Sequence, residues 1–170
     1  MNESARTMSG VRIAGTGSYF PGPSLDRDAV VAALDRFDDG LSGEEHERLL
    51  ELSGVRGRHY AFDAIRGRAT ECNASMAAAA GRAAMDAAGW QPADVDLLVV
   101  TTVVPDALMP PTSTAVQRRL GIEDCTELEI SANCTAPTKG LAFAAGQVRL
   151  GLARRALVCN AQYVLSLIHI

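Results

Sequence analysis

The stretch Glu129-Ile-Ser-Ala-Asn-Cys-Thr-Ala-Pro-Thr-Lys139 carries the fold of this chain in miniature. Leu128 to Ser131 reads as a short strand, and Cys134 follows at the turn into an alanine-rich helix that ends near Leu150-Gly151. Ala156 to Cys159 then opens a further strand. A strand returning to a neighbour through a helix runs parallel to it, because the crossover brings the chain back to the end where it began.

Working outward, the same alternation continues. Thr112 to Leu120 reads as a helix stopped by Gly121, and Asp96 to Val104 is a nearly continuous Leu/Val/Thr run of the kind found in strands covered on both faces. Before it, Thr70 to Ala88 is predicted to be a long alanine-rich helix, ended by Gly89 and followed by Pro92. Asp26 is expected to cap a short helix through Leu34, and Gly43 to Leu52 is expected to form another with Leu49, Leu50 and Leu52 as its apolar side. Val11 to Ala14 reads as a first strand, turned by Gly15-Thr-Gly17. Those glycines make a weak nucleotide-binding motif, since Phe20 stands where the third glycine of GxGxxG belongs and prolines follow where a helix should open. The whole is an α/β domain built on a largely parallel sheet, without internal repeats or low-complexity segments.

Composition narrows the function. The chain has 170 residues, 48% of them hydrophobic and 21% charged, which places it among soluble globular proteins with a sizeable core. Its longest apolar stretch, Leu97 to Val104, falls far short of the ~20 residues of a membrane helix, so no membrane association is expected. The N-terminus, Met1 to Thr7, is polar, with no apolar run before Val11 to serve as a secretory signal, and the chain is read as cytoplasmic. A net charge of -4 argues against nucleic acid as a partner. Between Gly54 and Thr70, however, Arg56, Arg58, Arg66 and Arg68 face only Asp63, a local charge of +3 that suits either an acidic or phosphate-bearing partner or a solvated loop.

The cysteines Cys72, Cys125, Cys134 and Cys159 show no CxxC spacing, so neither a structural zinc site nor a dithiol redox motif is expected, and no metal is predicted. Only Cys134 lies at a strand-to-helix junction. The first N-H groups of a helix are unpaired and its dipole places roughly +0.5 charge there, which favours a thiolate and an oxyanion formed beside it. Pro137 fits the first helical turn, where its missing N-H has no partner to lose. Position alone leaves two readings open for Cys134, a nucleophile or an inert buried thiol.

Several stretches, taken in order, resemble the β-ketoacyl-acyl-carrier-protein synthase III branch of the thiolase superfamily. They are Gly15-Thr-Gly-Ser-Tyr19; Ser53-Gly-Val-Arg-Gly-Arg-His59; the alanine-rich helix followed by Asp96-Leu-Leu-Val-Val-Thr-Thr102; Pro110 to Leu120-Gly121; Asn133-Cys134; and Arg155-Ala-Leu-Val-Cys159. The resemblance runs from Val11 to about Tyr163 and implies the N-terminal half of a thiolase-like layered fold, with a mostly parallel sheet and a buried helix after the nucleophile. The chain then divides into a polar tail (1–10), the half domain (11–163) and a suspected non-native tail (164–170), of which Leu165 to Ile170 reads either as translated sequencing adapter or as the end of a genuine strand.

What the resemblance implies for function is specific. Cys134 becomes the acyl acceptor, taking its group from an acyl-CoA or acyl-carrier-protein thioester and passing it to a malonyl thioester that loses CO2. A histidine and an asparagine from the second half assist, and none of His46, His59 and His169 is placed to replace them. Acyl carrier protein is the expected partner, a homodimer the expected assembly, and no cofactor is permanently bound. Met109 takes the position of a phenylalanine that in some members reaches across the dimer and limits acyl length, so it is expected to line the substrate pocket. Three departures bear on substrate. Ala136 stands where the family usually has glycine, Arg48 and Leu52 stand where a tryptophan and an arginine hold coenzyme A, and Met109 replaces the phenylalanine. Two alternatives accompany the condensing reading: acyl transfer to oxygen or nitrogen without condensation, and a non-catalytic partner subunit.

Overall fold

A computed structural model describes residues 10–37, 42–54, 56–63 and 68–163. The expectations for residues 1–9, for Arg66 and for the tail from 164 on, His169 included, lie outside them. The chain divides into two compact units, one formed by the N-terminal segment to Ser18 with Asn73–Gln162, the other by Tyr19–Cys72.

In the second unit, β1 (Ser24–Asp26) leads into α1 (Arg27–Phe37), followed by α2 (Gly43–Ser53) and the short strands β2 (Gly57–His59), β3 (Phe62–Asp63) and β4 (Arg68–Ala69). β1 pairs with β2 and β3 with β4, both antiparallel. At two or three residues each, these strands are too short to show alternation, and the sequence reading missed them. The helices obey local signals. Asp26 Oδ1 accepts from the Ala29 N-H at 3.0 Å. Ser42 and Glu45 form a reciprocal capping box at the start of α2, and Gly54 closes it in a left-handed conformation. The expected apolar side of α2 needs correction: Leu49 and Leu52 are exposed, and the buried pair is His46 with Leu50, one turn apart. Leu50 lies one turn after His46 and shares its face, whereas Leu49 and Leu52, three apart, share another face that stays exposed.

The first unit contains α3 (Asn73–Ala88), β5 (Leu97–Thr102), α4 (Thr112–Leu120), β6 (Thr126–Ser131), α5 (Ala136–Arg149) and β7 (Ala156–Asn160). The three strands form a parallel sheet in the order β6-β5-β7, with Val99 opposite both Leu128 and Val158. All six residues of β5 are buried, as expected of a central parallel strand. The chain moves from β5 to β6 on one side and then back past β5 to β7 on the other. With both crossovers right-handed, that reversal puts α4 and α5 on opposite faces. Val99, Ala144 and Ala153 make the core on the α5 face, with Ile130, Val148 and Val158 packed against them. On the other face Gly81 of α3 lies so near β7 that an added Cβ would come 2.9 Å from Cys159 Sγ and 3.4 Å from Leu157 Cδ2.

One expected element is absent. Val11 to Ala14 forms no strand and is mostly exposed; the following Gly15-Thr-Gly17, in the same unit as α3, is the part that lies against that helix. A Cβ on Gly15 would stand 2.5 Å from the Ala84 carbonyl oxygen, and one on Gly17 2.4 Å from that of Ala80. Ala80, Ala84 and Ala88 form one ridge of α3, and two glycines spaced by two let an extended backbone lie directly on it. This contact accounts for the Gly-Thr-Gly sequence without any nucleotide.

Candidate functional site

Adjacent parallel strands whose outgoing loops lead to opposite faces leave a crevice at their C-terminal ends, the usual place for ligands in open α/β sheets. Here those strands are β5, whose loop 103–111 leads to α4, and β6, whose turn leads to α5. Cys134 lies on that turn, and it is exposed, whereas Cys72 and Cys125 are partly covered and Cys159 is buried. The turn is well specified. Asn133 takes a left-handed conformation with φ of 48°, which asparagine tolerates better than most residues. The Thr135 N-H and hydroxyl both donate to the Ala132 carbonyl, at 3.3 and 2.9 Å. No side chain caps α5, and Pro137 occupies its first turn. The N-terminal end of this helix, with its partial positive charge, therefore begins two residues after the sulfur-bearing residue.

Cys159 and Cys125 are poorly suited to nucleophilic work. Burial pushes the Cys159 thiol from 9.0 up to about 12. The Cys125 thiol is also raised, first by burial and then by the nearby Glu127 and Asp124 carboxylates. Neither described histidine belongs to the unit that carries Cys134: His46 is buried in α2, and His59 Nδ1 lies 3.1 Å from the Gly22 carbonyl, its ring near Phe20. Arg56, Arg58 and Arg68 of the basic stretch are exposed. Among the described residues no group of three or more His, Cys, Asp or Glu could hold a metal ion.

Around the crevice the structure adds residues that the sequence reading passed over. Ser131 Oγ donates to the Val103 carbonyl at 3.2 Å, tying the end of β6 to the start of the β5 loop. Thr101 Oγ1 donates to Asn160 Oδ1 at 2.9 Å, linking the ends of β5 and β7. Asp106 accepts at 2.8 Å from the N-H groups of both Asn73 and Ala74, at the start of α3. Met109 lies on the same loop, strongly exposed next to Leu108. The structure thus brings Cys134 and the Met109 loop to one end of one sheet. The only sequence sign of the loop's anchorage is Pro105-Asp106, a turn signal directly after a strand.

These features define a class, a thiolase-like α/β protein with a cysteine at a strand-to-helix turn. No family model matches the chain. It is 32% identical over 156 residues to the β-ketoacyl-acyl-carrier-protein synthase III of Neisseria meningitidis serogroup C, an alignment covering 91% of this chain and 44% of that protein. Among solved structures it is similar to a tetronic acid condensing enzyme, with 35% identity and a TM-score of 0.75 over 86% of this chain and 44% of the other. It is also similar to the priming β-ketosynthase of the R1128 polyketide pathway, with 29% identity and a TM-score of 0.74 over 90% and 42%. The chain is homologous to the β-ketoacyl-acyl-carrier-protein synthases III. It spans less than half the length of the curated relatives it matches.

Proposed function

We propose that the complete protein is a decarboxylating condensing enzyme whose acyl acceptor is Cys134. The observation that carries this reading is the one exposed cysteine standing at the C-terminal ends of β5 and β6. In the first half-reaction Cys134 Sγ attacks the carbonyl carbon of an acyl-CoA or acyl-carrier-protein thioester. The carbon-sulfur bond to the donor breaks, and the donor thiol leaves. Negative charge that develops near the turn is stabilised by the N-terminal end of α5. In the second, a malonyl thioester loses CO2 and its α-carbon attacks the acyl-cysteine. A carbon-carbon bond forms as the Cys134 thiolate is released. A histidine and an asparagine supplied by the rest of the protein assist that decarboxylation. The reaction draws on no permanently bound cofactor.

In this reading residues 11–163 act as one half of the fold, acyl carrier protein docks on a homodimer, and Met109 lines the acyl pocket of the opposite subunit. The donors it calls for are those of the cytoplasm. No described helix is long and apolar enough to cross a membrane. The chain's similarity to a tetronic acid condensing enzyme and a polyketide priming synthase, beside β-ketoacyl-acyl-carrier-protein synthases III, suits specialised metabolism as much as primary fatty-acid initiation. Incubating the complete enzyme with an acyl donor and a malonyl thioester distinguishes the reactions: condensation releases one CO2 per 3-oxoacyl product. Acyl transfer to a hydroxyl or amine with no CO2 released would replace condensation by simple transfer.

A further inference from the structure

Loop 103–111 is held at both flanks and free at its tip. On one side Thr102 Oγ1 and Asn73 Nδ2 both donate to the Val104 carbonyl, at 3.0 and 2.9 Å. On the other, the Asp106 N-H donates to Thr112 Oγ1 at 3.2 Å, at the start of α4. Between these flanks the Asp106 carboxylate spans the first two N-H groups of α3, one oxygen to each, both at 2.8 Å. A carboxylate on two N-H donors at a helix N-terminus combines two charge-assisted hydrogen bonds with the helix dipole, so it is the strongest of these anchors. The next residues turn outward: Leu108 is 89% and Met109 83% exposed, two adjacent large apolar side chains that no described residue covers.

We propose that Asp106 is a positioning residue for acyl-chain selectivity. It fixes the tip of loop 103–111 so that Leu108 and Met109 together close the far end of the acyl site. The inference rests on the reading of Met109 as a pocket residue and deepens it in two ways. Leu108 joins Met109 as a wall of the pocket, and the chain-length limit is set by how firmly α3 holds the loop, as well as by the size of one side chain. Fixing a wall to within a fraction of an ångström is what lets a pocket reject one extra methylene; a mobile wall gives way to it.

The test compares Asp106→Asn, Asp106→Ala and Met109→Trp in the complete enzyme. The readout is the ratio of kcat/KM for a long against a short acyl-CoA donor. Asp106→Ala is expected to raise that ratio by about tenfold, and Asp106→Asn, which keeps one acceptor oxygen, by less. Met109→Trp is expected to move it in the opposite direction. Stoichiometric acetylation of Cys134, followed by intact mass, shows that each variant is folded, and where Asp106→Ala is not, the Asp106→Asn ratio decides alone. A graded shift across the Asp106 variants supports the positioning role, since general loosening would lower both donors together. If Met109→Trp shifts the ratio while the Asp106 variants leave it at the wild-type value, Asp106 does not position the loop and the pocket reading survives. If Met109→Trp leaves the ratio unchanged, the pocket reading fails and the inference fails with it.

Discussion

Cys134 and Cys159 carry the same side chain in opposite surroundings, one exposed beside a helix start, the other 4% exposed under α3. The environment decides their chemistry. Iodoacetamide at neutral pH should modify Cys134 first and leave Cys159 untouched in the folded protein; peptide mapping that finds Cys159 labelled at a comparable rate would contradict this. Burial also ties Cys159 to stability. Its thiol ionises near 9.0 when unfolded but near 12 when folded. Between those values the unfolded chain holds fewer protons than the folded one, so this group's contribution is complete below about 9.0 and declines as pH rises toward 12. Cys159→Ala should therefore flatten the alkaline fall in stability by up to about 1.4 kcal/mol per pH unit, measurable by denaturant titration at several pH values. Asn133 makes a third residue-scale case. Its φ of 48° tolerates glycine and penalises a β-branched side chain, so Asn133→Val should cost about 1–2 kcal/mol while Asn133→Gly is nearly neutral.

At the scale of elements, α5 is seated by a glycine. A Cβ on Gly140 would stand 2.6 Å from Thr101 Cγ2 and 3.3 Å from Val158 Cγ1, so Gly140→Ala must lift the helix off β5 and β7, moving the turn that bears Cys134. A cost of about 1–3 kcal/mol and slowed acylation are expected. Gly146 on the same helix has nothing within 4 Å of its added Cβ, and Gly146→Ala should be neutral or stabilise by about 0.5–1 kcal/mol. Equal thermal shifts for the two variants would contradict the seating. The comparison also shows what the sequence discloses. Periodicity and stop residues located α4 to the residue and β5, α5 and β7 to within two, because their signals are local: a buried apolar run, Gly121, Pro137. The start of α3 was misplaced from Asn73 to Thr70 because its cap is Asp106, 33 residues away, and no local pattern announces a distant carboxylate. Val11 to Ala14 looked like a strand for the opposite reason. Its apolar run is local, but among the described residues no strand pairs with it and Ile13 stays exposed. The Cys134 junction was legible because strand, turn and helix are contiguous in sequence. The crevice around it was not, because Ser131, Thr101, Asn160 and Asp106 meet only through the sheet.

For the molecule as a whole, open surfaces lie on the sheet and on one helix. Among the described residues β6 and β7 are both edges of the three-stranded sheet, and α5 exposes Leu141 and Phe143. Unpaired parallel edges and exposed apolar helix faces drive association, so residues 1–170 expressed alone should be poorly soluble and catalytically silent. A stable monomer with a cooperative thermal transition would show instead that this chain needs no second half. The central claim is that Cys134 accepts an acyl group, and its most direct test is intact mass of the complete protein after incubation with acyl-CoA and acyl-carrier-protein donors. One acyl adduct per chain is expected, mapping to Cys134 and absent in Cys134→Ala. An adduct that persists in Cys134→Ala, or that maps to Cys72, would contradict it.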